Sequence, residues 1–266
     1  MTREWNSQVY HRVSDPQYGW GVKVLRRLQT FPLGSDIHIL DAGCGTGRVT
    51  ADLLGAYPRS AVTGVDASEN MLAEARAGLA PFQSRVTLRQ QDLLNLTEEH
   101  EYDVIFSTAV FHWIKDHDRL FAVLFRALKP GGLLLAQCGG GDNLLRLRTR
   151  AMTQTRLPQF AKHFENWERY WEFANAEVTA GRLERAGFIG IQTSLEEAPT
   201  VLDGPEAFQQ FITHVNLQPF LKRLPEDLQD AFVGPLVEQA GKDSPPFTLD
   251  YWRLNLQGKR PLKISS

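Results

Sequence analysis

A glycine-rich segment between an apolar run and a helical pattern constrains the fold of this chain more than any other feature. Residues 37–40 read Ile-His-Ile-Leu, and Gly43, Gly45 and Gly47 follow. Glycine adopts positive φ angles and has no Cβ atom, so a ligand can approach the backbone of such a loop closely. In an open α/β sheet, a strand-to-helix turn of this kind binds a nucleotide-like ligand. The dinucleotide fingerprint would require glycine at position 48, which is Arg48, and plain turn chemistry is the alternative interpretation.

Three acidic residues mark the ends of predicted strands. Asp41 ends the first strand, Asp66 ends the apolar run 61–65, and Asp92 follows the run 86–88. The carboxyl ends of the strands in an open parallel sheet form one crevice, so we expect the three carboxylates to line it together. Asp66 lies about 20 residues beyond the glycines, the distance at which an acid reaches ribose hydroxyls.

Together these motifs resemble those of class I S-adenosylmethionine (SAM) dependent methyltransferases. They are Asp-Ala-Gly-Cys-Gly-Thr-Gly at 41–47, Asp66, Asp92-Leu93 and Lys-Pro-Gly-Gly at 129–132, and the match covers residues 36–138. The resemblance implies an α/β fold with a Rossmann-like, seven-stranded, mostly parallel sheet, an antiparallel last strand, and helices on both faces. It also implies SAM as the cofactor and S-adenosylhomocysteine as the product.

The resemblance assigns roles to individual residues. Asp66 binds the ribose, Asp92 with Leu93 binds the adenine, and Ala67 and Met71 flank the adenine ring, where a polarizable thioether suits an aromatic face. For Met71, ordinary helix-core packing is an equal alternative. The glycine loop passes the methionine end of the ligand, and the acid that opens the loop lies near the ligand's ammonium group. The residues expected to bind the cofactor are Asp41, Gly43, Cys44, Gly45, Gly47, Asp66, Ala67, Met71, Asp92, Leu93 and Ser107.

Composition narrows the class of protein. A formal net charge of −2 argues against general affinity for nucleic acid, which requires an excess of Lys and Arg. No apolar run approaches the roughly 20 residues of a membrane span, and the N-terminus lacks the apolar core of a signal peptide. We therefore expect a cytoplasmic enzyme, a monomer or homodimer, with a small-molecule substrate and no nucleic-acid or membrane partner. Cys44 and Cys138 are expected to be small buried side chains, not disulfide partners or metal ligands.

The length of 266 residues exceeds that of a minimal sheet-and-helix core, which predicts one domain with added elements. We expect an N-terminal cap over 1–35, with a helix from about Tyr18. Helical lid insertions are expected at about 141–178 and 204–240. Further strands are predicted at 188–193 and 247–256.

The segment after the fourth strand bears on what is methylated. Families that methylate exocyclic amines usually carry an Asn/Asp-Pro-Pro-Tyr/Phe motif there, and this chain has none. The chain resembles the subgroup of trans-aconitate, malonyl-acyl-carrier and juvenile hormone acid methyltransferases, which esterify carboxylic acids. The shared features are Ser-x-Ala-x-x-His-Trp at 107–113, Asp-Pro-Gln at 15–17, Gln137 with Gly139-Gly140, and Asp-Tyr-x-Arg-Leu at 250–254.

A carboxylate acceptor suits the chemistry, because a group with a pKa near 4 is ionised at neutral pH and attacks the sulfonium methyl without a general base. By resemblance, Gln17 and Trp113 donate hydrogen bonds to that carboxylate. His112 is the third candidate for the catalytic site. We expect it to pack beneath the site, and the alternative is a general base for a neutral hydroxyl or carbon acceptor.

The long insertion supplies cations and aromatic side chains. Arg146 and Arg150 are four residues apart, so a helix would place them on one face, either to bind a polyanionic substrate or as a solvated surface. The other basic residues of the insertion are Arg148, Arg156, Lys162 and His163. Aromatic residues expected either to close the site or to pack ordinarily are Tyr10, Trp20, Trp167, Tyr170 and Trp171.

Two other classes of protein share some of these features. A NAD-dependent oxidoreductase would use the same crevice and Asp66, but the chain lacks the third fingerprint glycine and any evident hydride-transfer constellation. A protein that binds SAM without turnover would keep the same loop and acids.

Overall fold

The computed structural model describes residues 15–168 and 170–262. In this part of the chain, seven strands form one sheet in the order β3-β2-β1-β4-β5-β9-β6. All neighbours pair in parallel except β9, which pairs antiparallel with both β5 and β6. The predicted fold class is therefore confirmed. The strands are β1 (His38–Ala42), β2 (Ala61–Asp66), β3 (Val86–Gln90), β4 (Tyr102–Thr108), β5 (Leu128–Gly139), β6 (Ile189–Glu197), β7 (Thr200–Val201), β8 (Thr248–Leu249) and β9 (Trp252–Lys259).

Helices connect the strands and build the lid. The first helix begins at Asp15, three residues before the predicted start, because Pro16 suits the first turn of a helix. It buries Trp20, Val24, Leu25 and Leu28. The helices are α1 (Asp15–Leu28), α2 (Arg48–Ala56), α3 (Glu69–Gly78), α4 (His117–Ala127), α5 (Leu145–Gln154), α6 (Pro158–Ala161), α7 (Ala176–Ala186), α8 (Gly204–Phe211), α9 (Gln218–Leu221) and α10 (Glu226–Gly241).

The end of the chain differs from the single strand predicted at 247–256. The short strand β8 pairs with β7 in a separate two-stranded sheet, and the central-sheet strand β9 starts only at Trp252. Between them, the Asp250 carbonyl accepts from the Leu144 N–H at 2.9 Å, and its side chain accepts from the Arg146 N–H at 3.0 Å. These bonds to the lid interrupt the strand between β8 and β9. They join residues that are distant in the sequence, so the alternation of apolar and polar residues does not predict them.

The lid elements share an apolar core of their own. Phe160 and Phe232 meet edge to face with ring centroids 5.3 Å apart, and Phe220 packs on Phe232 at 5.8 Å. These rings come from α6, α9 and α10, so the two predicted insertions pack against each other instead of lying separately on the sheet. Two further cores cover the two faces of the central sheet.

Two arginines of α5 tie the lid together. Arg150 makes a bidentate pair with Asp243 at 2.9 and 2.6 Å, and Arg146 lies 3.6 Å from Asp243 and 3.7 Å from Asp250. The Arg146 and Arg150 side chains therefore share a face, as predicted. Carboxylates of the protein itself lie against that face. The two arginines therefore have partners within the protein, and an anionic substrate is not needed to explain them.

Replacing Asp243 with asparagine is expected to lower the free energy of unfolding at pH 7 by about 1–3 kcal/mol, because the Arg150 guanidinium loses its charged partner. The hydrogen bond from Arg150 lowers the pKa of Asp243 below its usual 3.8. Its stabilising contribution is therefore present above pH 3.8 and lost as the pH falls through the lowered value. Urea unfolding at pH 7 and at pH 3 measures both effects. Glu238→Gln, which breaks an exposed pair with Lys242, is the control and should change little. An equal loss in both variants would contradict the role of Asp243.

Candidate functional site

A cavity of about 300 Å³ lies at the carboxyl ends of the parallel strands, beneath the lid. Its floor is formed by residues at or just after the ends of β1 to β4, including Gly43, Asp66 and Thr108. Leu147 from α5 and Val215, which follows α8, contribute to its roof. A crevice at this edge of an open sheet, covered by apolar side chains, is a ligand site.

The glycine loop borders this cavity. Gly43 has φ of +86°, and a Cβ atom there would collide with the Val110 side chain, so no other residue fits. Gly45, at φ of +55°, has open space where a Cβ would point and lines the cavity. The Gly43 and Cys44 N–H groups donate to the Val65 carbonyl at 2.8 and 3.0 Å, which fixes the loop to the end of β2.

Asp66 is the most firmly held acid of the cavity wall. Its Oδ2 accepts from the Gly45 N–H and its Oδ1 from the Ser68 N–H, both at 2.9 Å. A carboxylate oxygen can accept more than one hydrogen bond, so a carboxylate at this position suits a pair of ligand hydroxyls. The loop and the acid are thus one unit, since a displaced Asp66 would release Gly45.

Asp92 lies on the same wall. Its Oδ1 accepts from the Leu94 N–H at 2.9 Å and caps a short 3-10 turn, Leu93–Asn95. The predicted residues that line the cavity are Gly43, Gly45, Asp66, Ala67, Met71, Asp92 and Leu93, together with Gln17, His112 and Trp113.

Four predicted residues lie behind the wall. Asp41 is 2% exposed, and its Oδ2 accepts from the Thr50 hydroxyl at 2.7 Å. Burial, with a smaller contribution from the charge of Asp66, raises the pKa of Asp41 to about 7. Ser107 donates to the Ala42 carbonyl at 2.6 Å, Cys44 is buried, and Gly47 caps α2. The expectation that Asp41 lines the crevice with Asp66 and Asp92 is corrected accordingly, because burial behind the loop keeps its carboxylate off the wall. Cofactor contact by these four residues stays a prediction.

His112 lies in a 3-10 turn, Phe111–Trp113, directly after β4. Its Nδ1 accepts from the Gly139 N–H at 3.1 Å, and its ring stacks on Phe173 with centroids 5.5 Å apart. A backbone N–H can only donate, so the neutral ring must carry its proton on Nε2. His112 is thereby arranged as a hydrogen-bond donor, which disfavours the alternative role of general base.

His117, which sequence reasoning did not single out, holds this turn. Arginine only donates, so the 3.0 Å contact between Arg182 Nη1 and His117 Nδ1 fixes the proton on Nε2, which donates to the Phe111 carbonyl at 2.9 Å. Burial, and then the charge of Arg182, lowers the pKa of His117. Arg182 in turn pairs with Glu172 at 3.0 Å. No sequence pattern marked His117, because its partners come from distant elements.

Two arginines line the cavity. Arg148 of α5 lies over the Phe173 ring at 4.8 Å, and Arg253 of β9 lies over the Trp20 ring at 4.2 Å. Arg253 is only 3% exposed. Arg148 is one of the cations predicted in the insertion, whereas Arg253 was predicted only as part of the Asp-Tyr-x-Arg-Leu motif. Apart from that motif, nothing in the sequence distinguished Arg253, because Asn255 and Gln257 at the same alternation are also polar.

The predicted aromatic residues divide between cavity and packing. Trp20 and Trp171 line the cavity, Trp167 packs on Phe220 at 4.9 Å, and Tyr170 is largely exposed. Tyr10 lies outside the described residues. The Gln17 side-chain oxygen is shielded from solvent and has no hydrogen-bond partner within 15–168 and 170–262.

Comparison with known proteins agrees with this geometry. A family model described as a methyltransferase domain matches residues 39–132. Trans-aconitate 2-methyltransferase from Delftia acidovorans is 30% identical over 245 residues, covering 86% of this chain and 87% of that protein. The chain belongs to the SAM-dependent methyltransferase family. Trans-aconitate 2-methyltransferase from Deinococcus radiodurans is likewise 30% identical to this methyltransferase, over 83% of each chain.

Solved structures share the fold of the methyltransferase. Phosphoethanolamine N-methyltransferase 2 of Haemonchus contortus, in complex with SAM, superposes with a TM-score of 0.61 at 23% identity. It covers 95% of this chain, and the match spans 56% of that longer chain. The [4+2]-cyclase SpnF superposes with a TM-score of 0.58 at 18% identity, covering 91% of this chain and 81% of its own. One fold thus carries different reactions, so the acceptor must be argued from the site.

The cofactor of the methyltransferase is SAM, and the cavity fits it. Asp66 is held on the cavity wall with carboxylate oxygens that suit a diol, and Asp92 lies beside the apolar Leu93 for a ring amine. Met71 and Ala67 offer apolar surface for the adenine face. None of the helices in the described part of the methyltransferase combines the length and apolarity that a bilayer crossing needs.

Proposed function

We propose that this methyltransferase esterifies a carboxylate of a small organic acid. Its relatives are named as methyltransferases of such an acid, trans-aconitate. The observation that carries the proposal is the charge of the cavity lining. Arg148 and Arg253 are the cations of the wall, and its carboxylates within the described residues are Asp66 and Asp92, both on the strand-end wall assigned to the nucleoside. The remainder of the lining therefore attracts an anion.

The reaction requires the protein to bind SAM and the acceptor and to exclude water, and little else. SAM, when bound, supplies an electrophilic methyl group on a sulfonium centre. An acceptor carboxylate with a pKa near 4 is already ionised at neutral pH, so no residue has to remove a proton. Attack of an anion on a cation removes charge, which favours a site shielded from water. Trp20, Trp171 and Phe173 provide that shielding, and the Trp113 indole N–H and the Gln17 amide orient the carboxylate.

His112 separates this proposal from a base-dependent reaction. His112→Asn keeps an oxygen acceptor close to the position of Nδ1 for the Gly139 N–H and removes Nε2 altogether. With a carboxylate acceptor we expect kcat to fall by no more than about tenfold, the loss of one hydrogen bond. A base-dependent acceptor would lose about 10²- to 10⁴-fold. The measurement is kcat together with the SAM dissociation constant, which should be unchanged.

The proposal is tested by transfer of labelled methyl from SAM to di- and tricarboxylic acids, fatty acids, acyl-carrier thioesters and neutral alcohols. Label on an acid that is released by mild base identifies an ester. Base-stable label on an alcohol, or SAM binding with no acid labelled, would overturn the carboxylate assignment while leaving the fold and cofactor intact.

A further inference from the structure

A π-helical turn brings an amide side chain onto the cavity wall. Residues Ile212–Asn216 form this turn after α8, and the Leu217 N–H donates five residues back to the Ile212 carbonyl at 2.7 Å. Such turns are rare, and when they occur they are often at functional sites. The widened turn places Val215, Asn216 and Leu217 together on the lining.

The amide of Asn216 is only half satisfied by the protein. One end lies 3.0 Å from the Tyr251 hydroxyl, while the other is shielded from solvent and has no hydrogen-bond partner within the described residues. An amide rotated by half a turn keeps its shape and exchanges its NH₂ and oxygen. In the rotated form the Tyr251 hydroxyl donates to Oδ1, and the NH₂ group takes the position of the atom that has no partner within the described residues. An anion bound next to Asn216 would supply the partner that this end of the amide lacks.

Asn216 shares its wall with a buried cation. Tyr251 meets Trp20 edge to face with centroids 4.8 Å apart, and the Arg253 guanidinium lies 4.2 Å above the same Trp20 ring. Asn216, Tyr251, Trp20 and Arg253 thus form a continuous chain of contacts, and all four line the cavity. Tyr251 and Trp20 lie between Asn216 and Arg253, so the cavity has a neutral donor and a guanidinium at the two ends of this chain of contacts, and both kinds of group bind carboxylates.

The glycine loop adjoins the part of the cavity wall around Val110 and His112. Val110 packs against Gly43, and the turn that follows carries His112, which stacks on Phe173 beneath Arg148. The loop is the part of the site assigned to the methionine end of SAM, so the reacting carboxylate belongs beside this wall. The wall formed by Asn216 belongs to the lid and is left for another part of the acceptor.

We propose that Asn216, with Arg253, binds a second carboxylate of the acceptor, one that is not methylated, and thereby selects polycarboxylic over monocarboxylic acids. This inference rests on the proposed function, because it assumes that the acceptor is a carboxylic acid. Asn216 is a specificity-determining residue in this scheme, and its contribution should fall on KM for the acceptor.

The test compares two acceptors in three variants. The acceptors are the best dicarboxylic substrate and its analogue of equal length with a carboxamide in place of the second carboxylate. Asn216→Leu removes the donor, Asn216→Asp adds a charge at constant shape, and Gln210→Glu adds the same charge on the exposed face of α8 as the control.

We expect Asn216→Leu to raise KM for the dicarboxylate about 10- to 100-fold, with kcat and the SAM dissociation constant near their original values. Asn216→Asp should raise KM for the dicarboxylate further, because two negative charges then face each other. Gln210→Glu should leave this KM unchanged. Neither variant of Asn216 should raise KM for the carboxamide more than about threefold, because a carboxamide has no charge to lose at this wall.

The outcomes separate the two proposals. If the unaltered enzyme esterifies no acid, the proposed function fails. If the enzyme esterifies the dicarboxylate but Asn216→Leu raises KM equally for the dicarboxylate and the carboxamide, the assignment of Asn216 is wrong. The assignment is also wrong if Asn216→Leu raises KM for neither acceptor. Full affinity of Asn216→Asp for the dicarboxylate would also overturn it, and this isosteric variant decides the matter should Asn216→Leu fail to fold.

Discussion

Asp66→Asn is expected to weaken SAM binding by about a hundredfold or more. The carboxylate accepts from two backbone N–H groups at 2.9 Å and is assigned to the ribose hydroxyls as well. An amide can offer an oxygen to only one N–H and must turn its own NH₂ toward the other. Hydrogen bonds to a charged group contribute about 1.5–3 kcal/mol each, so losing two of them reaches the stated magnitude. The Gly45 loop should also loosen, because Asp66 fixes it.

Titration calorimetry with SAM and with S-adenosylhomocysteine measures this effect, and circular dichroism checks the fold. Asp116→Asn is the matched control. Asp116 caps α4 outside the cavity, and asparagine caps a helix as well as aspartate does, so the bond to the Arg119 N–H should persist and the SAM affinity should not change. Equal losses in the two variants would show that Asp66 has no special position in the site.

The nucleoside end of the site was predictable because its signals are local. Gly43 and Gly45 follow strand β1 in one turn, Asp66 is the last residue of β2, and Asp92 lies two residues after β3, where any open parallel sheet gathers its strand ends. Asp41 shows the limit of this prediction. It lies one residue before the end of β1, paired with Gly64 and Phe106, and its side chain is buried in the protein and does not reach the edge.

The acceptor end was harder to predict because it depends on tertiary packing of the lid. Spacing placed Arg146 and Arg150 on one helix face, but only the structure shows Asp243 against that face. Asn216 reaches the cavity through a π-helical turn. Because such a turn departs from the 3.6-residue repeat of an α-helix, the periodicity of the sequence does not predict it. The position of Arg253 in the site was not predictable either, because it depends on contact with Trp20, which comes from the other end of the chain.

Arg253→Met is expected to lower kcat/KM for the acid acceptor by about a hundredfold or more, with SAM affinity unchanged. Arg253 is 3% exposed, so its charge acts in a nearly water-free setting, and removing one partner of such a charged pair costs about 2–5 kcal/mol. Methionine retains apolar contact with the Trp20 ring, which keeps the wall in place. Lysine at this position keeps the charge but loses the planar guanidinium, and it should recover only part of the activity.

Arg150→Met is the matched control for Arg253→Met, because Arg150 does not line the cavity and pairs with Asp243. It should lower the melting temperature while leaving KM for the acceptor unchanged. Combining Arg253→Met with Asn216→Leu then tests whether the two residues bind the same carboxylate. Residues that share a ligand group are not additive, so the double variant should lose much less than the product of the two single losses. Multiplicative losses would assign Arg253 and Asn216 to separate parts of the acceptor.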